Sequence, residues 1–328
     1  MIAVTGANGL LGSFIVRKLL QQQIQFVALK RKGSDITLLQ DVASLITWRD
    51  ADVTDEVAVA EAFEGVSAVI HAAAIVSFNP RKAKQVMLVN VEGTRNVVNA
   101  CLAKGINRLM HISSVAALGR QKGQRVVNEN NTWQNSPLNS VYGESKYLAE
   151  LEVFRGQEEG LSTVVINPSV ILAPADWDRS SAQIFKYIWQ QRSFYTDGFL
   201  NYVDVRDVVE IIFMLLHAPI EAQRFVVSAG NISFKLLFDR IASEFNCNSP
   251  SIKVSKPLLK GLAQIEVVRT FFSGSEPLIT ADTARLAGTE FFYDNQKIKQ
   301  LLGFQFQPIE STINWCCQQY LKKIHSEN

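Results

Sequence analysis

The first half of the chain alternates short apolar runs with longer amphipathic segments. Short apolar runs are typical of buried strands, and apolar residues that recur every three or four positions are typical of helices. The pattern predicts strands at 2–5, 25–29, 45–48, 68–73, 108–112 and 163–166, and helices at 10–22, 55–63, 80–104 and 141–157. This alternation predicts a parallel sheet with right-handed crossovers and helices on both faces.

Beyond about Pro174 the alternation becomes less regular. The pattern there predicts a strand at 225–227 and helices at 180–191, 207–216, after Ser233 and through most of 256–302, with an interruption at 274–277. We therefore expect an α/β protein with a Rossmann-type doubly wound sheet in residues 1–173 and returning segments from about 200–230. Residues 174–328 are expected to form a smaller, mostly helical substrate-binding lobe at the carboxyl edge of the sheet, where open α/β sheets bind ligands.

Composition narrows the class of protein without giving a function. The 328 residues include 33 Lys and Arg and 31 Asp and Glu, a net charge of +2, so neither nucleic acid nor a membrane surface is expected as a partner. The longest strongly apolar stretch, 66–78, is shorter than the roughly 20 residues that a membrane-spanning helix needs. No signal-peptide pattern, disulfide framework or metal-ligand motif is present, which predicts a cytoplasmic protein without a metal site.

A glycine-rich turn, TGANGLLG at 5–12, joins the first predicted strand to the first predicted helix. Gly6 permits the tight turn, Gly9 lets the backbone approach a pyrophosphate, and Gly12 lets the helix pack on the strand. The helix start adds free N–H groups and the positive end of its dipole. An ordinary strand-to-helix turn is the alternative to a dinucleotide site. The predicted cofactor contacts in this turn are Gly6, Asn8, Gly9, Leu10, Leu11 and Gly12.

The end of the second strand indicates which dinucleotide binds. An NAD site needs an acid there for the ribose hydroxyls, whereas an NADP site uses an arginine for the 2′-phosphate. The chain has Lys30, Arg31 and Lys32 at this position and no acid. The pattern therefore favours NADP(H) over NAD(H), with Arg31 on the phosphate; a solvated basic turn is the alternative.

Two further segments follow predicted strands at the same edge. Asp52, next to Val53, can accept a hydrogen bond from the adenine amino group, or it can cap a helix, a role that its neighbours also fill well. HAAA at 71–74 ends the fourth strand with small residues. Ala72 and Ala73 then let the backbone touch a ribose, or they simply pack tightly. All four residues are predicted cofactor contacts.

A tyrosine and a lysine four residues apart, Tyr142 and Lys146, share one face of the predicted helix 141–157. A phenol with a pKa of about 10 is a poor acid–base group at neutral pH unless a nearby cation lowers that pKa. The apolar stripe of Tyr147, Leu151 and Phe154 is expected to face the core and to leave Tyr142 and Lys146 to the cleft. The pattern alone is also common on surface helices.

Paired serines end the fifth strand, in RLMHISSVAA at 108–117. A serine hydroxyl there can hydrogen-bond a substrate carbonyl beside the phenol. Asn90 lies inside the predicted helix 80–104, where asparagine has a low propensity. It is expected to hold a water molecule, to support the lysine, or to make a buried hydrogen bond between helices.

In this order the motifs resemble the extended short-chain dehydrogenase/reductase superfamily (the NAD-dependent epimerase/dehydratase family) over nearly the whole chain. They are TGANGLLGS at 5–13, DVTD at 52–55, HAAA at 71–74, NVEGT at 90–94, HISS at 111–114, YGESK at 142–146 and NPSVILAP at 167–174. The resemblance implies Ser114, Tyr142 and Lys146 as the catalytic set, with Lys146 also on the nicotinamide ribose. It places Asn167 and Val170 near the nicotinamide.

Within that superfamily, NPSVILAP and ALKRKGS at 28–34 are most similar to the dihydroflavonol reductase and cinnamoyl-CoA reductase branch. Ala173 departs from this pattern, since it replaces the usual glycine before Pro174. The resemblance is also compatible with a homodimer, because members of the family often pair through two long helices. The segment at 201–208 resembles the family's strand-to-helix junction above the cleft, and a capping role for Asp207 is the alternative to substrate contact.

Together these features predict an NADP(H)-dependent oxidoreductase acting on a small-molecule ketone or aldehyde, or on the secondary alcohol. Tyr142 would exchange the proton on oxygen, Ser114 would polarise that oxygen, and Lys146 would lower the tyrosine pKa. One alternative is an NAD-dependent nucleotide-sugar epimerase, for which Arg206 and Arg224 are single candidates to bind a pyrophosphate. Another is a dinucleotide-binding regulatory protein without turnover. Five aromatic residues are candidates for a substrate pocket or for ordinary packing: Phe78, Trp133, Trp177, Phe194 and Tyr195.

Overall fold

A computed structural model describes residues 1–121, 123–179, 181–255 and 291–327. The strands are β1 (Ile2–Thr5), β2 (Phe26–Lys30), β3 (Trp48–Asp50), β4 (Ala68–His71), β5 (Arg108–Ile112), β6 (Val126–Val127), β7 (Thr163–Pro168), β8 (Val170–Leu172), β9 (Phe194–Thr196), β10 (Phe199–Asp204), β11 (Gln223–Val227), β12 (Gly230–Ser233), β13 (Ile252–Val254) and β14 (Phe292–Tyr293). The helices are α1 (Leu10–Gln21), α2 (Glu56–Ala62), α3 (Ala83–Met87), α4 (Gly93–Ala103), α5 (Val141–Glu158), α6 (Ala182–Trp189), α7 (Val205–His217), α8 (Phe234–Glu244), α9 (Gln296–Leu302) and α10 (Ile309–Glu327).

Seven parallel strands form the central sheet, in the order β3-β2-β1-β4-β5-β7-β11. The strand order reverses at β1, which lies between β2 and β4. Ligands of open α/β sheets bind outside the carboxyl ends of the strands at such a point. The predicted Rossmann-type fold is confirmed, and β11 is the returning segment that completes one edge of the sheet.

Alternate residues of each strand face opposite sides of the sheet, and helices cover both sides. Val4 and Ile70 pack with α1 and α7, whereas Ala3 and Val69 pack with α2, α4 and α5. These strands read as continuous apolar runs because both of their faces are buried.

The later part of the chain builds a separate apolar cluster from α6, α8, α10 and a small sheet in the order β12-β10-β8. The predicted tract 256–302 overlaps the described residues only from 291, where β14 precedes α9. The rest of that tract, including the interruption at 274–277, lies outside the described residues. No helix within the described ranges is long and apolar enough to cross a membrane.

Two predicted elements differ from the structure. The third strand begins at Trp48, because residues Thr37–Leu45 form a 3-10 helix. Leu45 is 66% exposed, so its apolar character does not mark a strand. The predicted helix 80–104 is divided into a 3-10 turn, α3, a π-helical turn at Leu88–Glu92 and α4.

Candidate functional site

The glycine-rich turn after β1 leaves no room for side chains. Gly6 has φ +64°, and a Cβ atom there would lie 2.7 Å from Cα of Ala73. A Cβ atom on Gly12 would lie 2.1 Å from the carbonyl oxygen of Gly6. The turn, the end of β4 and the start of α1 therefore approach each other as closely as a phosphate-binding loop requires.

The start of α1 offers its free N–H groups beside this turn. Gly9 is the extended residue before the helix, so the N–H groups of Leu10 and Leu11 lie in the first turn, where a helix has no internal acceptor for them. The Asn8 side chain donates to Ser34 Oγ at 3.2 Å and to the carbonyl of Asp35 at 2.8 Å. Asn8 thus joins the glycine loop to the loop after β2, and its own contact with a cofactor stays a prediction.

A cleft of about 610 Å³ opens beside this loop. It is lined by Arg31, Lys32, Gly33, Ser34, Asp50, Ala51, Asp52 and Ala58. Arg31 and Lys32 have exposed side chains. Lys30 differs from them, because its ammonium pairs with Asp50 at 2.7 Å. The structure therefore brings Arg31 and Asp52 to one cleft, as the sequence predicts, and ties Lys30 to β3.

The segment after β3 is fixed by its own hydrogen bonds. Asp52 Oδ1 accepts from the amide of Thr54 at 3.0 Å and from its hydroxyl at 2.8 Å. Asp55 caps α2 by accepting from the amide of Ala58 at 3.0 Å. Val53 is buried, and its carbonyl accepts from Asn96 at 2.9 Å. Asp52 keeps its place on the cleft, whereas Val53 anchors the segment to α4.

A buried histidine connects the ends of β1 and β4. His71 Nδ1 is hydrogen-bonded to Thr5 Oγ1 at 2.7 Å, and Nε2 to Thr94 Oγ1 at 3.0 Å. Burial lowers the pKa of His71 to about 3, so the ring is neutral. The amide of Ala73 donates to Thr5 Oγ1 at 3.2 Å, which fixes the backbone of Ala72 and Ala73 beside Gly6.

Tyr142 and Ser114 meet at the start of α5. The helix begins after Ser140, whose hydroxyl accepts from the amide of Gly143 at 3.0 Å. Tyr142 is half-buried, and burial raises the pKa of its phenol above 10, while the neighbouring Ser114 hydroxyl acts on that pKa in the opposite direction. Ser114 Oγ also accepts from the amide of Ala116 at 3.2 Å. The predicted phenol and hydroxyl therefore share one site.

Lys146 lies deeper than Tyr142 and is fully buried. Its ammonium donates to the carbonyl of Ile112 at 2.8 Å. Burial lowers the pKa of Lys146 to about 8, and Glu150 acts in the opposite direction. In this structure burial of the phenol raises the tyrosine pKa, and the ammonium of Lys146 is bound to β5. The lowering of the tyrosine pKa by Lys146 stays a prediction.

The buried face of α5 also differs from the prediction. Leu151 is 43% exposed, and Tyr147 stacks on Trp133 at 4.7 Å outside the main core. The buried face instead carries Lys146 and Glu150. The positions of the apolar residues did not identify this buried face, because it carries two charged side chains and charged side chains are rarely buried.

Two asparagines hold parts of this site in place through hydrogen bonds. Asn90 Nδ2 donates to Ser145 Oγ on α5 at 2.9 Å, which confirms the hydrogen bond between helices, and Oδ1 accepts from the amide of Ile75 at 2.8 Å. The π-helical turn around Asn90 places this side chain; such turns are frequent at functional sites. Asn167 Nδ2 donates to the carbonyl of Ser114 at 2.9 Å.

Two predicted cofactor contacts lie at the end of β7 and the start of β8, and their surroundings differ. The side chain of Asn167 is buried among the strand ends, whereas Val170 is 40% exposed. Asn167 therefore supports the backbone of Ser114, and Val170 is the more accessible of the two predicted cofactor contacts. The contact of either residue with a nicotinamide stays a prediction. Sequence reasoning missed Glu150 and Ser113; the signal available for Glu150 was its position four residues after Lys146.

The arginines considered for a pyrophosphate are engaged elsewhere. Arg206 pairs with Asp204 at 2.6 Å and lies over the ring of Trp315 at 4.1 Å. Arg224 donates to the carbonyl of Glu129. At the junction after β10, Asp204 caps α7 by accepting from the amide of Arg206 at 2.8 Å.

The capping role considered for Asp207 is therefore wrong. Asp207 lies inside α7, and its carboxylate accepts from the amide of Gln307 at 2.8 Å. Contact of this junction with a substrate stays a prediction.

The described residues contain no group of three or more His, Cys, Asp or Glu arranged to hold a metal ion. Among the candidate aromatic residues, Phe78 lies beside the site, with its ring edge-on to Tyr142 at 5.8 Å. Trp177 stacks on Tyr320 at 4.3 Å, which is ordinary packing. Phe194 is exposed, and Tyr195 lies beneath the ammonium of Lys235.

This chain is similar to named reductases over most of its length. The family model for the NAD dependent epimerase/dehydratase family matches residues 2–228. A protein of Synechocystis sp., provisionally named a dihydroflavonol 4-reductase, is 29% identical over 319 residues, which cover 94% of this chain and 91% of that protein. Cinnamoyl-CoA reductase 1 of Oryza sativa subsp. japonica is 24% identical over 345 residues, which cover 97% of this chain and 90% of that protein.

A solved structure with the same fold is UDP-glucose 4-epimerase with UDP-glucose from Thermotoga maritima. The two structures superimpose with a TM-score of 0.80, covering 98% of this chain and 99% of that chain, at 17% sequence identity. At this identity the match demonstrates a shared fold.

Proposed function

We propose that this chain, which belongs to the NAD dependent epimerase/dehydratase family and is an NAD(P)-dependent oxidoreductase, uses NADP(H) to interconvert a ketone or aldehyde with the corresponding alcohol. Ser114, Tyr142 and Lys146 form its catalytic set. The observation that carries this proposal is the meeting of Tyr142, Ser114 and Lys146 at the carboxyl end of β5, where Lys146 donates to the carbonyl of Ile112 and Ser114 acts on the pKa of Tyr142. The glycine loop lies at the same edge of the sheet.

The cleft fits a phosphorylated dinucleotide. Gly6 and Gly12 form a cradle that any Cβ atom would fill, and the first N–H groups of α1 open onto it. Arg31 would hold the 2′-phosphate and Asp52 the adenine amino group at the lined cleft. A bound nicotinamide supplies the hydride, which no protein side chain can supply.

The remaining predicted contacts would lie further along the cofactor, beyond the point at β1 where the strand order reverses. Ala72 and Ala73 would touch a ribose through the backbone, and Val170 would lie along the nicotinamide. Lys146 would hold the second ribose, which requires its ammonium to share donors between that ribose and the carbonyl of Ile112.

The protonation state of Tyr142 suits reduction of a carbonyl group. Because burial raises its pKa, the phenol carries its proton at neutral pH. Efficient transfer of that proton to the oxygen of a substrate carbonyl would require the Lys146 ammonium to lower this pKa. Ser114 offers a second hydroxyl at the same position. Proton transfer and the polarising hydrogen bond therefore reach one oxygen atom from two sides.

The substrate would enter from the side of Phe78, whose ring borders Tyr142. Phe78 is 40% exposed, so it gives the surface next to the phenol an apolar side chain. We assign substrate binding to this segment together with the lobe of residues 174–328.

In the nucleotide-sugar epimerase alternative, Arg206 and Arg224 were considered for binding a pyrophosphate, but both are already bound to other groups. Arg206 is paired with Asp204, and Arg224 is bound to main-chain carbonyls and to Glu150. A pyrophosphate would have to displace these partners, two of which are buried carboxylates. Leaving a buried carboxylate unpaired is costly.

The purified protein tests the proposal directly. Mass spectrometry of the denatured protein should find little stoichiometric NAD, because a reductase releases its oxidised cofactor in each turnover. Added NADPH should be oxidised in the presence of at least one member of a panel of aldehydes and ketones. One equivalent of non-exchanging NAD, together with interconversion of nucleotide-sugar epimers, would establish the epimerase instead.

A further inference from the structure

Glu150 is a fully buried carboxylate one helical turn beyond Lys146 on α5. Tyr142, Lys146 and Glu150 follow one another at intervals of four residues and therefore share one face of the helix. Burial of a carboxylate is costly unless the group is paired and hydrogen-bonded. The contacts of Glu150 show what offsets this cost.

Every polar contact of the Glu150 carboxylate is with a donor. Oε1 accepts from Ser113 Oγ at 2.5 Å and from Asn167 Nδ2 at 2.6 Å. Oε2 lies 3.3 Å from Nη1 of Arg224. The donors come from the end of β5, from β7 and from β11, so one carboxylate joins three strands of the sheet to α5.

Two of these contacts continue to the catalytic set. Asn167 Nδ2, which donates to Glu150, also donates to the carbonyl of Ser114 at 2.9 Å. The carbonyl of Ile112, two residues earlier, accepts from the ammonium of Lys146. Residues 112–114 therefore present Ser114 and bind Lys146, and their position depends on the partners of Glu150.

The surroundings of Lys146 offer little other negative charge. His71 on β4 and His111 on β5 lie on this side of the sheet, and burial lowers the pKa of both rings, so they are neutral. Tyr142 is neutral as well. Among the described residues, Glu150 is the carboxylate whose charge raises the pKa of Lys146.

The groups around Glu150 partly offset the effect of burial on its pKa and so favour the charged carboxylate. Burial raises the pKa of Glu150, whereas Ser113, Asn167, Arg224 and Lys146 act in the opposite direction. Two further charged groups near Arg224 are bound to the main chain. The carboxylate of Glu129 accepts from the amide of Val226 at 2.8 Å. Lys297 donates to the carbonyl of Arg224 at 2.9 Å.

We propose that Glu150 is a positioning residue of the catalytic site: its buried carboxylate keeps the ammonium of Lys146 charged and fixes the ends of β5 and β7 that hold Lys146 and Ser114. This inference rests on the proposed function for its catalytic meaning. The charge of Lys146 can nevertheless be measured without any substrate or turnover.

The test is the substitution Glu150→Gln in the full chain, which removes the charge at nearly constant volume. Lysines labelled with carbon-13 at Cε report their titration by NMR, and the signal of Lys146 is the one absent in Lys146→Met. Removal of the nearby negative charge is expected to lower the Lys146 titration midpoint by about one pH unit, a tenfold change in acid dissociation. NADPH affinity, measured by fluorescence titration, should then begin to fall about one pH unit lower than in the wild type.

Ser113→Ala is the matched control, because it removes a donor from the same carboxyl group and leaves that group in place. Since the Ser113 hydrogen bond lowers the pKa of Glu150, its loss favours the neutral carboxyl group only in part, and the Lys146 midpoint should decrease by less than in Glu150→Gln. An unchanged midpoint in Glu150→Gln, or an equal decrease in both variants, would overturn the proposal. If Glu150→Gln does not fold, Glu150→Asp decides: its carboxylate is drawn back by one methylene group, so the midpoint must decrease measurably, and an unchanged midpoint would overturn the proposal. Failure of the wild type to bind NADPH would instead reject the proposed function, while the lysine titration still tests Glu150.

Discussion

Arg179, in the segment after β8, pairs its guanidinium with the carboxylate of Asp35, which follows β2. Arg179 Nη1 also lies 3.4 Å from the carbonyl oxygen of Asn8, and the Asn8 side chain donates to the carbonyl of Asp35. These three residues connect the segment that enters the C-terminal part of the chain to both loops beside the cofactor cleft. The connection lies next to the loop that carries Arg31.

Arg179→Ala is expected to release NADPH about two- to fivefold faster, because an exposed ion pair makes only a small contribution to the positioning of these loops. Stopped-flow displacement of bound NADPH measures the rate. Arg17→Ala is the control, since it removes another exposed ion pair, the one between Arg17 on α1 and Asp41. Equal release rates in all three proteins would show that the Arg179 contact does not hold the cofactor loops.

NADPH should bind at least tenfold more tightly than NADH. One charge-assisted hydrogen bond from Arg31 to the 2′-phosphate can supply about 1.4 kcal/mol or more, which corresponds to that ratio. Fluorescence titration of both cofactors measures it, and Arg31→Ala should reduce the ratio. Lys18→Ala controls for net charge, because Lys18 pairs with Glu210 at 2.9 Å outside the lined cleft. An NADH preference that Arg31→Ala leaves unaltered would contradict the NADP assignment.

Tyr142→Phe should retain cofactor binding and lose turnover by roughly two to four orders of magnitude, the size of a general-acid contribution. The measurement is NADPH oxidation with a carbonyl compound that the wild-type protein reduces. Tyr147→Phe is the matched control, because this tyrosine lies on the same helix and stacks on Trp133 instead. Full activity in Tyr142→Phe would show that another group transfers the proton.

Lys146→Met should weaken NADPH binding and also reduce turnover, because it removes the buried ammonium that would hold the ribose and that fixes the end of β5. A role confined to the fold would instead lower thermal stability without changing the affinity for NADPH. Fluorescence titration and thermal denaturation, carried out on the same preparation, separate these two results.

The carboxyl group of Asp207 should make the protein less stable as the pH rises from about 4 to 6. Burial raises its pKa from 3.8 to about 6, so the folded protein binds this proton more tightly than the unfolded chain does. The stabilisation is complete below pH 3.8 and is lost as the pH passes through 6. Urea unfolding of the wild type and of Asp207→Asn at several pH values measures it. The variant should lack this part of the pH dependence; a constant difference between the two proteins would contradict the prediction.

The sequence alone determined where the glycine motif and the buried strands lie along the chain. The glycine spacing predicted that Gly12 lets the helix pack on the strand, and in the structure a Cβ atom on Gly12 would lie 2.1 Å from the carbonyl oxygen of Gly6. Buried strands such as β1, β4 and β5 were predicted within two residues at each end, because strands covered on both faces are continuous apolar runs. These features depend on local residue types, which a sequence displays directly.

Tertiary structure alone decided which charged groups are buried and what they contact. Lys30 and Arg31 are adjacent and both positively charged, yet β3 supplies Asp50 to the first and leaves the second on the cleft. On α5 the polar face with Lys146 and Glu150 is buried and Leu151 is exposed, the reverse of what apolar periodicity predicted. The reason is that a buried charge is stabilised by partners from distant strands, here β5, β7 and β11, and those partners meet only after the sheet has formed.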